Sequence, residues 1–417
     1  MSYVKSLKCR ECGRTYSKKP IYVCEWCFGP LEVVYDYNGI GKVLTKKTIL
    51  SRPKNLWRYR ELLPIDGEPT VGLNSGFTPF FEAKNLAKVF GVRKIFIKDD
   101  SVNHPTLSFK DRVVAVALSK AKEFGFRTVA CASTGNLANA VASHSKQAGF
   151  NCYVFVPSNL EKSKIVSSLI YGVNLVAVDG NYDDVNRLCG EIASKYKWAF
   201  VNVNLRPYYA EGSKTYGFEI VEQLGWRVPQ HIIVPAASGS LLTKIYKAFK
   251  EFEQLGFIKK PNTKFHIAQA SGCSPIVSTL KEKSDIIKPV KPNTIAKSLA
   301  IGNPADGIYA IDIVKKTCGF GEVATDEEIV EGIKLLAETE GIFTETAGGV
   351  TVAVCKKLIE SKKIPKNEEI VISITGNGLK TQEAVENKIG RPIKIKPNME
   401  EFEKFLNNNV APTFRSG

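Results

Sequence analysis

One lysine in this sequence stands where a cation is not expected. In "HPTLSFKDRVVAVALSKAKEFG", Lys110 follows Ser108-Phe109 and precedes Asp111-Arg112, at the entrance of a helix predicted over 108–124. A helix entrance is electropositive and carries unpaired backbone N–H groups. A lysine is tolerated there if it swings into water, or if its amine is neutral or covalently engaged at a reaction centre. Asp111 and Arg112 are expected to fix the turn by a local ion pair.

A second set of residues points to a metal. Cys9-x2-Cys12 is followed after eleven residues by Cys24-x2-Cys27, and Gly13 and Gly29 close the two turns. Two such knuckles supply four thiolates at about 2.3 Å from one tetrahedral ion. Zinc is the expected ion. With all four positions filled by sulfur, its role is structural. Redox-active pairs or disulfides are the alternative, and disulfides fit a cytosolic chain poorly. Cys131, Cys152, Cys189, Cys273, Cys318 and Cys355 are scattered and read as small core residues or free thiols.

Three further stretches combine a strand end with small or polar residues. "CASTGNLANA" ends a strand at Ser133 and opens a helix through Thr134, Gly135 and Asn136. One such residue suffices as a helix cap, but a consecutive run offers hydroxyls and amides to a carboxylate. "IIVPAASGSLLTK" does the same through Ala237, Ser238, Gly239, Ser240 and Leu241, where an anion can approach the backbone. That loop matches neither the Rossmann nor the Walker pattern. In "VISITGNGLK", Thr375 ends a strand, and Gly376 and Gly378 bend the loop after it. A hydroxyl fixed there can hydrogen-bond a ring nitrogen, or mark an ordinary turn.

These strand ends need a scaffold, and the hydrophobic pattern supplies one. From Arg93 onward short β-rich runs alternate with amphipathic helices. Strands are predicted at 94–98, 128–133, 151–157, 174–180 and 199–204, and helices at 108–124, 136–149, 161–171 and 183–196. The rhythm resumes after Glu211, with the strands "HIIVPAA", "KFHIAQA" and "EEIVISITG" and helices near 240–253, 326–340 and 346–361. This pattern means α/β architecture with mostly parallel sheets covered on both faces. In such sheets ligands bind at the carboxyl ends of strands. The expected organisation is a ribbon over 1–40, a large α/β domain over 41–92 and 205–417, and a small α/β domain over 93–204.

At 417 residues, 44% hydrophobic and 24% charged, the chain has the size and composition of a globular protein of two or three domains. It has no apolar run of bilayer length and no signal-type start, so a cytoplasmic protein without membrane partners is expected. A net charge of +16 suits anionic ligands. The basic residues are dispersed rather than blocked, which gives no footprint for nucleic acid. A basic ribbon that binds nucleic acid nonetheless accounts for the cysteines and the charge, though not for Lys110 or the three loops.

Lysine, small-residue loops and terminal threonine in this order resemble the tryptophan-synthase-like (fold type II) family of pyridoxal-phosphate enzymes. "HPTLSFKDR", "ASTGN", "NVNLRPYYAEGSKT", "FTETAGGVT" and "ITGNGLK" are similar to successive landmarks of its threonine-synthase branch, some members of which carry a ribbon. The resemblance implies that Lys110 forms the imine with pyridoxal 5'-phosphate and acts as general base. It places Asn136 on the cofactor's 3'-oxygen, residues 237–241 on its phosphate and Thr375 on its ring nitrogen. Ser133 and Thr134 fall where the family holds the substrate's carboxylate or phosphate. Tyr209 stands where other members have a phosphate-binding arginine, and Arg206 is the candidate to replace it. The implied reaction converts O-phosphohomoserine and water to threonine and phosphate, and a homodimer is implied likewise. β-Elimination from serine or threonine, or β-replacement on a phosphorylated serine, would leave the cofactor residues unchanged.

Overall fold

Two sheets of parallel strands and one small antiparallel sheet carry the chain, seen in a computed structural model that describes residues 3–133, 135–158, 162–180 and 182–409. The antiparallel sheet comes first: β1 (Val4–Cys9) pairs with β2 (Thr15–Tyr16) and with β3 (Leu31–Tyr35). Leu31, Val33 and Tyr35 are buried while Glu32 and Val34 alternate outward, the period of a strand with one covered face.

The larger sheet gathers β4 (Phe80–Glu82), β5 (Lys94–Asp99), β10 (His231–Pro235), β11 (Lys264–Ala270), β12 (Gly321–Ala324) and β13 (Glu369–Ile374), in the order β12-β11-β10-β13-β5-β4. Only β4 runs antiparallel. The smaller sheet holds β6 (Thr128–Ala132), β7 (Asn151–Pro157), β8 (Asn174–Val178) and β9 (Ala199–Phe200), all parallel, in the order β8-β7-β6-β9. The central strands read as continuous apolar runs because helices cover both faces: five of the six residues of β13 are buried. Six helices matter below: α1 (Lys110–Glu123), α2 (Asn136–Ala148), α3 (Lys214–Gln223), α4 (Ser240–Gln254), α5 (Gly307–Lys316) and α6 (Thr346–Glu360).

Three local readings change. Lys94–Asp99 belongs to the six-stranded sheet, where it pairs in parallel with Glu369–Ile374; only that long-range partner decides its sheet. The strand expected at 199–204 stops at Phe200, because the Asn204 side chain accepts from Phe200 N at 2.8 Å and donates to Trp198 O at 2.9 Å, closing a turn. Helix α1 begins at Lys110 rather than at 108.

The chain divides into two compact units, Met1–Gln382 and Glu383–Gly417, and the second carries a helix over Met399–Asn409. Among the described residues no helix is long and apolar enough to cross a membrane.

Candidate active site

Lys110 is positioned from both sides of its turn. Asp111 accepts from Thr106 N at 3.1 Å and Thr106 Oγ1 at 2.8 Å, so its carboxylate ties down the loop that precedes the helix. Arg112 points elsewhere. Its guanidinium binds Asp100 at 2.7 and 2.8 Å, Glu219 Oε2 at 2.8 Å and Thr215 Oγ1 at 3.1 Å, all fully out of solvent. The two residues therefore do not form the expected local pair; each fixes a different side of the helix entrance. Burial alone would raise Glu219, but Arg112 and Lys98 beside it hold its carboxyl down to about 2. Removing Arg112 would leave the buried Asp100 carboxylate without a cation, while Glu219 keeps Lys98 at 2.6 Å, a loss of about 3–5 kcal/mol.

The lysine turn is also stitched to the end of β13. Phe109 N donates to Thr375 O at 2.9 Å, Asn377 N donates to Leu107 O at 3.1 Å, and Ser108 and Gly376 form a bridge. Lys110 and Thr375 thus share one piece of backbone framework. The half-buried Lys110 amine lies 3.2 Å from the Tyr209 hydroxyl.

Asn136, at the start of α2, joins the same place through a residue the sequence reading did not single out. Its amide donates to Glu345 Oε2 at 2.8 Å, and Thr375 Oγ1 lies 3.4 Å from Glu345 Oε1. The Asn136 carbonyl oxygen accepts from Lys380 Nζ at 3.0 Å, which fixes the amide's orientation and leaves its second N–H for a ligand. Glu345 is almost wholly buried; burial raises its pKa, against the hydrogen bond from Asn136 and the charge of Lys380. Burial likewise lowers Lys380, against the attraction of Glu345. Both residues lie within stretches already notable for their pattern, "FTETAGGVT" and "ITGNGLK". The signal available was a carboxylate in an otherwise apolar and small-residue run. Gly376 is required here, since a Cβ on it would meet the Glu345 carboxyl at 2.5 Å.

The loop 237–241 lies at the carboxyl end of β10, beside β13 in the sheet. Gly239 adopts φ +90°, and a Cβ there would strike Asp306 O at 2.9 Å. The loop is thus a cradle of backbone at the first turn of the fifteen-residue α4, where N–H groups point outward to an anion. Ser133 follows directly on β6 at the mouth of the second sheet, with its Oγ 3.4 Å from Gly135 N. Thr134 lies outside the described residues. Arg206 turns to Asp306, at 2.9 Å, behind the 237–241 loop.

The cysteines converge as their spacing predicts. All four sulfurs lie within 4.8 Å of one another, with Cys9–Cys27 at 3.4 Å and Cys12–Cys24 at 3.6 Å, and none forms a disulfide. Sulfurs at about 2.3 Å from a common ion stand roughly 3.8 Å apart, so the set fits a tetrahedral metal.

An amine held at a helix entrance, a fixed amide, a hydroxyl at a strand end and an anion cradle are the parts that grip a phosphorylated pyridine aldehyde. The family profile described as "Pyridoxal-phosphate dependent enzyme" matches residues 71–376. Threonine synthase of Methanocaldococcus jannaschii is 39% identical over 403 residues, covering 96% of this chain and 98% of that protein. Threonine synthase of Methanosarcina acetivorans is 38% identical with the same coverage. The chain belongs to the pyridoxal-phosphate-dependent enzymes and, within them, to the threonine synthase family. Among solved structures, threonine deaminase isoform 2 from Solanum lycopersicum superposes with a TM-score of 0.63 at 21% identity, over 85% of this chain and 94% of that one. Maize serine racemase does so at 0.64 and 21%, over 74% and 91%. At those identities the likeness is one of fold.

Proposed function

We propose that this chain converts O-phosphohomoserine and water to L-threonine and phosphate with pyridoxal 5'-phosphate at Lys110. What carries the reading is that Asn136 and Thr375 meet at one buried carboxylate, that the backbone of Thr375 is bonded to the turn of Lys110, and that the chain matches threonine synthases over 96% of its length.

When bound, the cofactor draws electrons from the substrate's Cα, so that protons at Cα and Cβ become removable. The chain's residues do the rest. Lys110 Nζ takes the Cα proton and then a Cβ proton, and returns protons as phosphate leaves Cγ and water adds at Cβ. With the cofactor bound, Asn136 would donate to its 3'-oxygen and the Thr375 hydroxyl would offer its ring nitrogen a neutral partner, which would keep that electron withdrawal moderate. The amides of 237–241 would hold its phosphate. Ser133 and Thr134 hold the substrate's carboxylate or phosphate; Arg206 serves the phosphate by sharing the guanidinium it lends to Asp306. Zinc in the four-cysteine ribbon, a boundary between the two α/β lobes that falls between Asp99 and Thr128 and again near 204, a cytoplasmic location and a homodimer complete the reading.

The reaction is tested by mixing the purified protein with O-phosphohomoserine and measuring threonine and inorganic phosphate. Equal release of both is expected, with O-phosphoserine, serine and threonine inert. Ketoacid from the shorter substrates and silence towards phosphohomoserine would replace this reaction by elimination or β-replacement. Lys110→Ala should abolish the imine absorbance at about 410–420 nm and all turnover. Borohydride labelling that maps to another lysine would refute the assignment. Elemental analysis should find one zinc per chain.

A further inference from the structure

The ribbon touches the anion cradle through one aspartate. Arg10 lies between the metal-set cysteines Cys9 and Cys12; its guanidinium stacks on the Tyr309 ring at 3.4 Å and reaches Asp306 Oδ1 at 3.7 Å. Glu11, next to it, takes the Tyr309 hydroxyl as a hydrogen-bond partner. Asp306 stands at the N-cap position of α5 without a side-chain bond to the helix, and its other oxygen holds Arg206 at 2.9 Å. The main chain of Asp306 faces the loop. Its N–H donates to Ser238 O at 2.9 Å, and its carbonyl is the group that a Cβ on Gly239 would strike. A second tie runs in parallel: Glu32 on β3 pairs at 2.7 Å with Lys244, on the second turn of α4.

The Ser238 bond has a directional effect. In a trans peptide the carbonyl and the following N–H point opposite ways. Holding Ser238 C=O on Asp306 therefore turns Gly239 N–H away from α5, towards the cradle. Gly239 at φ +90° is the residue type for which rotation of that peptide is easiest. Released, the peptide can present its carbonyl oxygen to an anion in place of its N–H.

We propose that Asp306 is the positioning residue through which the four-cysteine knuckle sets the affinity of loop 237–241 for the cofactor's phosphate. Metal on the thiolates fixes the Cys9–Cys12 turn, the turn fixes Arg10, and Arg10 with Arg206 fixes Asp306. This inference rests on the reading of 237–241 as the phosphate loop and of the cysteines as metal ligands.

The test uses apoprotein titrated with pyridoxal phosphate and, separately, with pyridoxal, which lacks the phosphate, following the visible absorbance of each. Metal-loaded protein, metal-stripped protein, and the metal-loaded variants Arg10→Met and Asp306→Asn are compared, with metal content measured in each. Loss of the Arg10 ion pair should raise the Kd of pyridoxal phosphate about tenfold and leave that of pyridoxal within about twofold. Metal removal should do the same. An equal loss for both aldehydes would show a general structural role and overturn the proposal. So would unchanged pyridoxal phosphate affinity in Arg10→Met, a variant that keeps every cysteine. Wild-type protein that forms no visible species with either aldehyde would refute the cofactor reading itself.

Discussion

The two strand–loop–helix units that face the candidate site follow one sequence recipe and are packed in opposite ways. At the end of β10, Gly239 sits with a left-handed backbone against Asp306, with no room for a methyl group. Beyond β6, Gly135 opens α2 with no atom of the described residues within 4 Å of where its Cβ would be. The first unit is backed by α5 and, through Arg10, by the ribbon. The second is held at Asn136, through Glu345 and Lys380. A ligand that stays through many turnovers is served by a clamped loop. One that enters and leaves each cycle is served by a loop with free space before it. On the proposed reading, similar small-residue loops thus suit residence in one place and exchange in the other.

The contrast is sharpest at the two glycines. Gly239→Ala should have the largest effect: a left-handed alanine costs about 1–2 kcal/mol before the clash with Asp306 is counted. Cofactor affinity should fall by tenfold or more, read by absorbance titration. Retained affinity would mean that the loop is not clamped. Gly135→Ala should leave melting temperature and cofactor affinity unchanged and raise KM for O-phosphohomoserine several-fold. A fall in cofactor affinity there would erase the distinction between the loops.

The smallest effect is expected from acid, at the far end of the clamped loop's strand. His231 on β10 and His266 on β11 are buried and share a hydrogen bond of 2.9 Å. Phe320 N donates to His266 Nδ1 at 3.1 Å, so His266 Nε2 carries the proton given to His231 Nδ1, and His231 Nε2 donates to Glu368. Burial lowers both rings, His266 to about 3, with Lys264 and Lys363 adding to the effect and Glu368 opposing it at His231. Both histidines are neutral when folded and take up protons when unfolded below about pH 6.5. Stability is therefore present above that pH and declines as pH falls towards about 3, because the unfolded chain binds more protons. Melting curves from pH 7 to pH 4 should show the decline, and His266→Gln should flatten it. An unchanged slope in that variant would place the acid sensitivity elsewhere.

Much of this was legible in the sequence for a physical reason. Lys110, Asn136 and Thr375 announce themselves because strand ends and helix starts have local signatures in glycine, serine, threonine and asparagine. The cysteine cluster is legible because its four members lie close together along the chain. Glu345 and Lys380 were not singled out, since a buried carboxylate has no local pattern and its partners come from other elements. The Arg112 pair was misassigned for the same reason: Asp100 and Glu219 lie on other elements, and only the packing of α3 against α1 brings Glu219 within reach. Lys94–Asp99 was placed with its sequence neighbours, whereas parallel pairing took it to β13.

The stitch between Leu107–Phe109 and Thr375–Asn377 has a consequence in time. A ribosome emits the lysine turn 265 residues before the strand end that aligns it, counted from Lys110 to Thr375. A nascent chain halted before residue 377 carries its nucleophile on a turn with no framework opposite, however well the smaller sheet has formed. The amine acquires its working surroundings only once residue 377 has been made, so products truncated before it are expected to be colourless with pyridoxal phosphate.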